Sequence, residues 1–252
     1  MARATERHDV CRTDTQYVVQ LSGYAWALSQ IDPARAAILD VATGTGFGGH
    51  LLSARARLVV GVDLAREAVV EARWRFRRRN LLFLQADGVA LAFRNGAFDA
   101  VVSQDTIEHI PHDREFVAEV ARVLKPGGAF VVFTPWRETH AEKPENPFHL
   151  REYSAASLTA LLVAHFPDIR LWGRRWREEL TRSEIEMDRV RCLDPWGLRR
   201  VVPRALRHRL ASLWLSLRQA KRLDQVSVED VEYIPGAPPG SNTLIAVCRA
   251  GA

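Results

Sequence analysis

The segment Ala37–Val41 runs directly into Ala42-Thr43-Gly44-Thr45-Gly46-Phe47-Gly48-Gly49. Glycines this dense are needed where a backbone turns tightly and a ligand must approach main-chain atoms with no Cβ in the way. A mostly apolar strand feeding such a turn, with a helix start behind it, reads as the opening βα unit of a parallel sheet. Taken alone, the turn fits a nucleotide-type ligand or a plain tight turn equally well.

The following hundred residues extend the same rhythm. Apolar runs at Arg57–Val62, Leu81–Gln85, Phe98–Ser103 and Ala129–Thr134 alternate with amphipathic stretches, the pattern of strands joined by crossover helices. Glu67–Arg79 predicts a helix, with Ala68, Val69, Ala72 and Phe76 at helical spacing and Arg75–Arg79 placed favourably for the dipole at its C-terminal end. Lys125-Pro126-Gly127-Gly128 stops a helix ending at Leu124 and turns the chain into the next strand. Beyond a loop at Pro135–Pro147, Ser154–His165 reads as a helix with Ser154 as N-cap, and Ile169–Gly173 and Thr243–Cys248 as two late strands. The roughly 70 residues between those strands exceed an ordinary loop and call for an inserted helical element. The expected fold is α/β: one doubly wound, Rossmann-like domain over 1–252, with a seven-stranded mixed sheet and helices on both faces. A helical cap is expected over 1–35, and a basic helical insertion over 174–235, between the last two strands.

The formal net charge is +5, but it is unevenly placed: Arg170–Arg222 carries 15 Lys/Arg against 6 Asp/Glu, leaving the remainder slightly acidic. Within that segment Leu206, Leu210, Leu213, Trp214 and Leu217 recur at helical spacing among arginines, behind Pro203. A lid helix packed on the core and a helix resting on anionic lipid both fit this pattern. Nucleic acid is not the expected partner, because aromatic motifs of the RNA-binding kind are missing. The three cysteines, Cys11, Cys192 and Cys248, form no CxxC pair, and neither a secretory leader nor a long apolar run occurs. A cytoplasmic protein, monomeric or homodimeric, is expected.

Acidic residues give the glycine turn its specificity. Asp63 closes the second strand about 20 residues past the turn, where a carboxylate can accept hydrogen bonds from both hydroxyls of a ribose. Asp87-Gly88 follows the third strand, within reach of an adenine amino group, and Asp40 ends the first. Open parallel sheets bind ligands at the carboxyl ends of their strands, so these acids converge on one crevice suited to an adenosine-containing ligand.

The motifs ILDVATGTGFGG, VVGVDLAREAV, LLFLQADGVALAF, FDAVVSQDTIEHI and VLKPGGAFVVFTP resemble, in order and spacing, the class I S-adenosylmethionine (SAM)-dependent methyltransferases, particularly the type 11 group. The resemblance covers about 100 residues and departs from the family at Ala42, where a glycine is usual. It implies SAM as cofactor, with Ala42, Gly44 and Gly46 along its methionine part and Asp40 near its amino group, directly or through water. It implies Asp63 on the ribose, Asp87 on the adenine amine with Gly88 beside the ring, and Gln104 on the methionine side. The implied activity is methyl transfer to an oxygen or nitrogen of a small-molecule acceptor, such as a sugar or natural product. Two other readings stay open: an NAD(P)-dependent oxidoreductase, since Asp63 suits that ribose equally, and a non-catalytic RNA-binding module on the same fold.

Methyl transfer from a sulfonium is an in-line displacement governed by alignment, and an oxygen or nitrogen acceptor can also use a base. His109, just after the fourth strand, and His149, in the loop after the fifth, are the candidate catalytic residues. Asp105, Glu108, His109 and His149 together are similar to the metal-ligand pattern of the small-RNA 3′-terminal 2′-O-methyltransferases, with Asp105 where a glutamate stands there. No metal is included in the expected site.

Overall fold

Side chains along the central strands alternate between two buried apolar layers, as a sheet covered on both faces requires. The computed structural model describes residues 15–138, 144, 146, 148–176, 231–236 and 238–251. Its elements in chain order are α1 (Thr15–Ser29), β1 (Ala37–Val41), α2 (Phe47–Ser53), β2 (Leu58–Asp63), α3 (Arg66–Arg75), β3 (Leu81–Gln85) and β4 (Phe98–Gln104). There follow α4 (Asp113–Val123), β5 (Leu124–Pro135), α5 (Ala155–Leu162), β6 (Asp168–Trp176), β7 (Val231–Pro235) and β8 (Thr243–Arg249).

The sheet has the order β3-β2-β1-β4-β5-β8-β6-β7. β1 to β5 are parallel, and β8 enters antiparallel between β5 and β6. The expected doubly wound architecture is therefore present, but with eight strands among the described residues rather than the seven expected. The additional one is β7, which pairs antiparallel with β6 from Trp172↔Pro235 to Trp176↔Val231. Both ends of the segment read as a helical insertion, 174–176 and 231–235, are thus strand. The basic helix read over 203–222 lies outside the described residues. Among the described helices none is long and apolar enough to cross a membrane.

Leu39, Val41, Val101, Phe130 and Val132 point to the layer filled by Phe116, Val117, Val120 and Val123 of α4 and Leu158 and Leu162 of α5. Ile38, Ala100, Val102, Val131 and Phe133 point to the other, filled by Tyr24, Ala27 and Leu28 of α1, Leu52 of α2, and Val69 and Ala72 of α3. α1 spans this second layer as far as the late strands: Trp26 stacks on Tyr233 at 4.9 Å and meets Trp172 edge-on at 5.3 Å. These contacts tie α1 to the antiparallel pair β6–β7, across the face that carries Asp40.

Two helix boundaries differ from expectation for local reasons. α3 stops at Arg75 instead of Arg79 because Phe76 turns extended (φ −123°, ψ 115°) and stacks on His50 at 4.6 Å. Asn80 then anchors the chain by donating to the carbonyls of Ser53 and Ala56, each at 2.8 Å. α5 runs only from Ala155 to Leu162, and Ser154 caps it in a reciprocal capping box with Ser157.

Candidate active site

At the carboxyl end of β1 the chain bends through three successive positive-φ positions, Ala42 (φ 60°), Gly44 (φ 55°) and Gly46 (φ 86°). Ala42, where the resembling family has glycine, adopts the left-handed conformation that costs an L-residue roughly 1–2 kcal/mol. Gly44 faces open space, whereas a Cβ on Gly46 would lie 2.6 Å from the Ala72 methyl and 2.7 Å from the Phe83 ring. The first glycine is needed for its dihedral angle, and the second for angle and space together.

Asp63, at the end of β2, reaches across to this turn. Its Oδ2 accepts from the Gly44 amide at 2.9 Å, and its Oδ1 accepts from the Ala65 amide at 2.8 Å at the start of α3. Asp87 is exposed beyond β3 and accepts from the Val89 amide at 3.1 Å, while Gly88 lies against Phe116 and Val41. The three predicted acids therefore occupy three adjacent strand ends, β1, β2 and β3, with the bend between the first two.

Asp40 lies beneath the turn. It is fully buried: Oδ1 accepts from the Tyr24 hydroxyl at 3.0 Å and Oδ2 from the Thr43 hydroxyl at 2.5 Å. Both oxygens are thus engaged within the protein, and Asp40 braces the turn from below. Burial pushes its pKa up to about 7, against the opposing hydrogen bonds from Thr43 and Tyr24. Burial and the neighbouring Asp40 likewise push the Tyr24 phenol upward. Because the folded protein holds the Asp40 proton more tightly than the unfolded chain, this group favours the fold at low pH. That contribution is lost between about pH 4 and pH 7, on the order of a few kcal/mol in all. Asp40→Asn is therefore expected to gain melting temperature relative to the parent on going from pH 5 to pH 8. A difference that does not change with pH contradicts this assignment.

Gln104 is turned toward α1. Its Nε2 donates to the Gln20 carbonyl at 3.1 Å, its Oε1 accepts from Arg174 at 3.5 Å, and its carboxamide packs where a Cβ on Gly23 would stand. In this position it braces α1. Arg174, itself buried, also donates to the Val19 carbonyl and the Thr243 hydroxyl and sits 5.6 Å from the centre of the Phe133 ring.

The loop after β4 begins with Asp105 at φ 48°, a strained conformation for a residue other than glycine. A single 3-10 turn, Ile107–His109, follows. Glu108 is wholly buried, with Oε2 accepting from the Thr134 hydroxyl at 2.9 Å and Oε1 without a hydrogen-bond partner among the described residues. Burial, reinforced by Asp105, raises its pKa well above the usual carboxylate range. The structure brings the two predicted histidines together, with ring centroids 4.9 Å apart and planes at 75°. His109 Nδ1 lies 2.9 Å from the Phe148 carbonyl, and His149 Nδ1 lies 2.7 Å from Glu152 Oε1. Burial works to raise Glu152, but hydrogen bonds from Arg137 and His149 prevail and hold it below its ordinary range. Tyr24, Thr43, Glu152 and Asn146 were not singled out in the sequence, since each acts by supporting another residue.

A doubly wound sheet with a glycine turn and acids at the ends of β1, β2 and β3 is an arrangement suited to a nucleoside-type ligand, and over this region the chain is similar to SAM-dependent methyltransferases. Residues 39–132 match the model of the family described as "Methyltransferase domain". A "probable S-adenosylmethionine-dependent methyltransferase" of Mycobacterium tuberculosis is 38% identical over 140 residues, 54% of this chain and 50% of that protein. Demethylmenaquinone methyltransferase of Thermus thermophilus is 41% identical over 106 residues, 40% of this chain and 48% of that protein. The chain thus spans about half the length of these relatives. Among solved structures, phosphoethanolamine N-methyltransferase 2 of Haemonchus contortus in complex with SAM superposes with a TM-score of 0.57 at 17% identity, over 95% of this chain and 59% of that one. The [4+2]-cyclase SpnF superposes at 0.60 with 19% identity, over 97% and 86%. These structural likenesses establish the fold.

Proposed function

We propose that the protein transfers the methyl group of SAM to an oxygen or nitrogen of a small organic acceptor. The observation that carries this reading is a coincidence of position. The segment matching the methyltransferase family, 39–132, contains Asp40, Ala42, Gly44, Gly46, Asp63, Asp87, Gly88 and Gln104, along with His109.

On this reading Asp63 grips the ribose, Asp87 the adenine, and the bend from Ala42 to Gly46 carries the methionine end, with Asp40 holding the bend's shape. The sulfonium is already an activated leaving group, so the chain's main tasks are to orient the acceptor and to exclude water. The Nδ1 atom of His109 faces a carbonyl and that of His149 a carboxylate, so each ring is oriented through Nδ1, and His149 Nε2 in addition meets Asn146 Nδ2 at 2.9 Å. Two relatives are named for organic acceptors, demethylmenaquinone and phthiotriol or phenolphthiotriol dimycocerosates. They favour a natural-product acceptor over a macromolecule. Because a [4+2]-cyclase shares the fold, the fold alone does not specify transfer. The reading is tested by incubating the protein with SAM labelled in its methyl group and a panel of hydroxylated and amine-bearing natural products. Label is expected in an organic-soluble or sugar product, together with demethylated cofactor. Tight SAM binding with no label transferred to any acceptor class, and a non-redox rearrangement in its place, would favour the cyclase-like alternative.

A further inference from the structure

We infer that the free edge of the sheet, β3 together with the end of α3, is a docking surface for an anionic phospholipid bilayer. The chain forms no helix between β3 and β4, so β3 is covered on one face only. Leu81 and Phe83 point into the core layer shared with α3, whereas Leu82 and Leu84 alternate to the opposite face and are 51% and 37% exposed. Alone, two such leucines are ordinary surface residues. The arginines beside them make the difference.

The connection between α3 and β3 supplies the charge. Phe76 leaves the helix in an extended conformation, and Arg77, Arg78 and Arg79 follow it directly into β3. With Arg73 and the two leucines they line an open groove of about 580 Å³, to which no acidic residue contributes. Arg77 and Arg79 have no hydrogen bond or ion pair among the described residues, and Glu71 of α3 is already taken by Arg75 at 2.8 Å. The groove therefore presents uncompensated positive charge next to exposed hydrocarbon.

That combination selects the occupant. Guanidinium forks suit phosphate, leucines suit acyl chains, and a phospholipid surface offers both at once. A second copy of the chain is disfavoured, because it would bring two arginine clusters face to face. Pairing by another strand is also obstructed: the Phe83 carbonyl accepts from Arg73 Nε at 2.8 Å, and the Leu81 amide donates to the Arg78 carbonyl at 3.2 Å. RNA could use the arginines, but its platforms rely on aromatic stacking, and the apolar side chains most exposed in this groove are aliphatic. Arg77–Arg79 precede β3 and Asp87 follows it, so the charge lies at the end of the strand opposite the candidate active site. The inference does not rest on the methyltransferase reading.

The full-length protein is sedimented at fixed salt with vesicles of phosphatidylcholine alone and of phosphatidylcholine and phosphatidylglycerol in equal parts. Retention by the anionic vesicles and not by the neutral ones is expected. Arg77→Gln, Arg78→Gln and Arg79→Gln combined should weaken it on the order of 100-fold, at about fivefold for each arginine. Leu82→Ser with Leu84→Ser should weaken it about tenfold. All five side chains are exposed, so both variants should keep the urea midpoint of the parent and its affinity for S-adenosylhomocysteine, measured separately. The proposal is overturned if anionic vesicles retain no protein, or if the arginine variant binds like the parent while neutralising Arg204, Arg207 and Arg209 abolishes retention. It is equally overturned if a short single-stranded RNA binds more tightly than the vesicles and the leucine variant leaves that binding unaltered, or if the parent is a dimer that the leucine variant splits.

Discussion

Gly48→Ala is expected to destabilise the protein by about 3–5 kcal/mol, far more than an alanine at the neighbouring Gly44. A Cβ on Gly48 would stand 2.0–2.5 Å from three atoms of the Tyr24 ring, a distance no rotamer adjustment at position 48 can relieve. The ring would have to move, at an overpacking cost of roughly 1–3 kcal/mol. Moving it also withdraws the hydroxyl that donates to the buried Asp40, and leaving that acceptor without its donor costs about 1–3 kcal/mol. At Gly44 nothing lies within 4 Å of the added methyl, so only the positive φ of 55° is penalised, by roughly 1–2 kcal/mol. Urea unfolding of the two variants beside the parent checks the comparison. Equal losses would mean that α1 does not pack against the turn as described.

Asp63→Ala is expected to lower affinity for S-adenosylhomocysteine by roughly 100-fold or more. Hydrogen bonds from two ribose hydroxyls to one carboxylate are charge-assisted and worth about 1.5–3 kcal/mol each, so losing even one costs tenfold or more. The same substitution releases the amides of Gly44 and Ala65, removing about 1–2 kcal/mol of stability and loosening the bend that carries the methionine end. Calorimetric titration at a temperature where the variant remains folded separates the two effects. Undiminished affinity in a folded variant would place the ribose elsewhere.

The parallel half of the sheet was legible because its signals are local. Ala37–Val41 and Leu81–Gln85 are bounded as their apolar runs and flanking turns suggest, and Ser154 declares its cap as a serine directly before the helical run Ala155–Leu162. The acids at the ends of β1, β2 and β3 follow from the same rhythm, since strand ends can be read from strand lengths. What escaped depends on contacts between distant segments. Val231–Pro235 becomes a strand only because β6 presents an edge to it, and its short run ending in proline lies inside a segment whose length called for a helical insertion. Tyr24 reaches Asp40 from a helix whose sequence carries no motif, and Gln104 is drawn toward α1 by Gln20 and Arg174 rather than toward the bend. His109 and His149 were named from chemistry and grouped with Glu108 by resemblance. Their meeting over Glu108, with Glu152 and Asn146 holding one ring, is a product of the loop fold.

The central claim is that the carboxylates of β1, β2 and β3 and the strained bend beside them form a seat for an adenosyl amino acid. A calorimetric titration of the purified protein with S-adenosylhomocysteine, set against NAD, addresses it most directly. Saturable one-to-one binding of the first in the micromolar range, with NAD at least about 100-fold weaker, is the predicted result. Binding of NAD alone, or of neither compound, would contradict it.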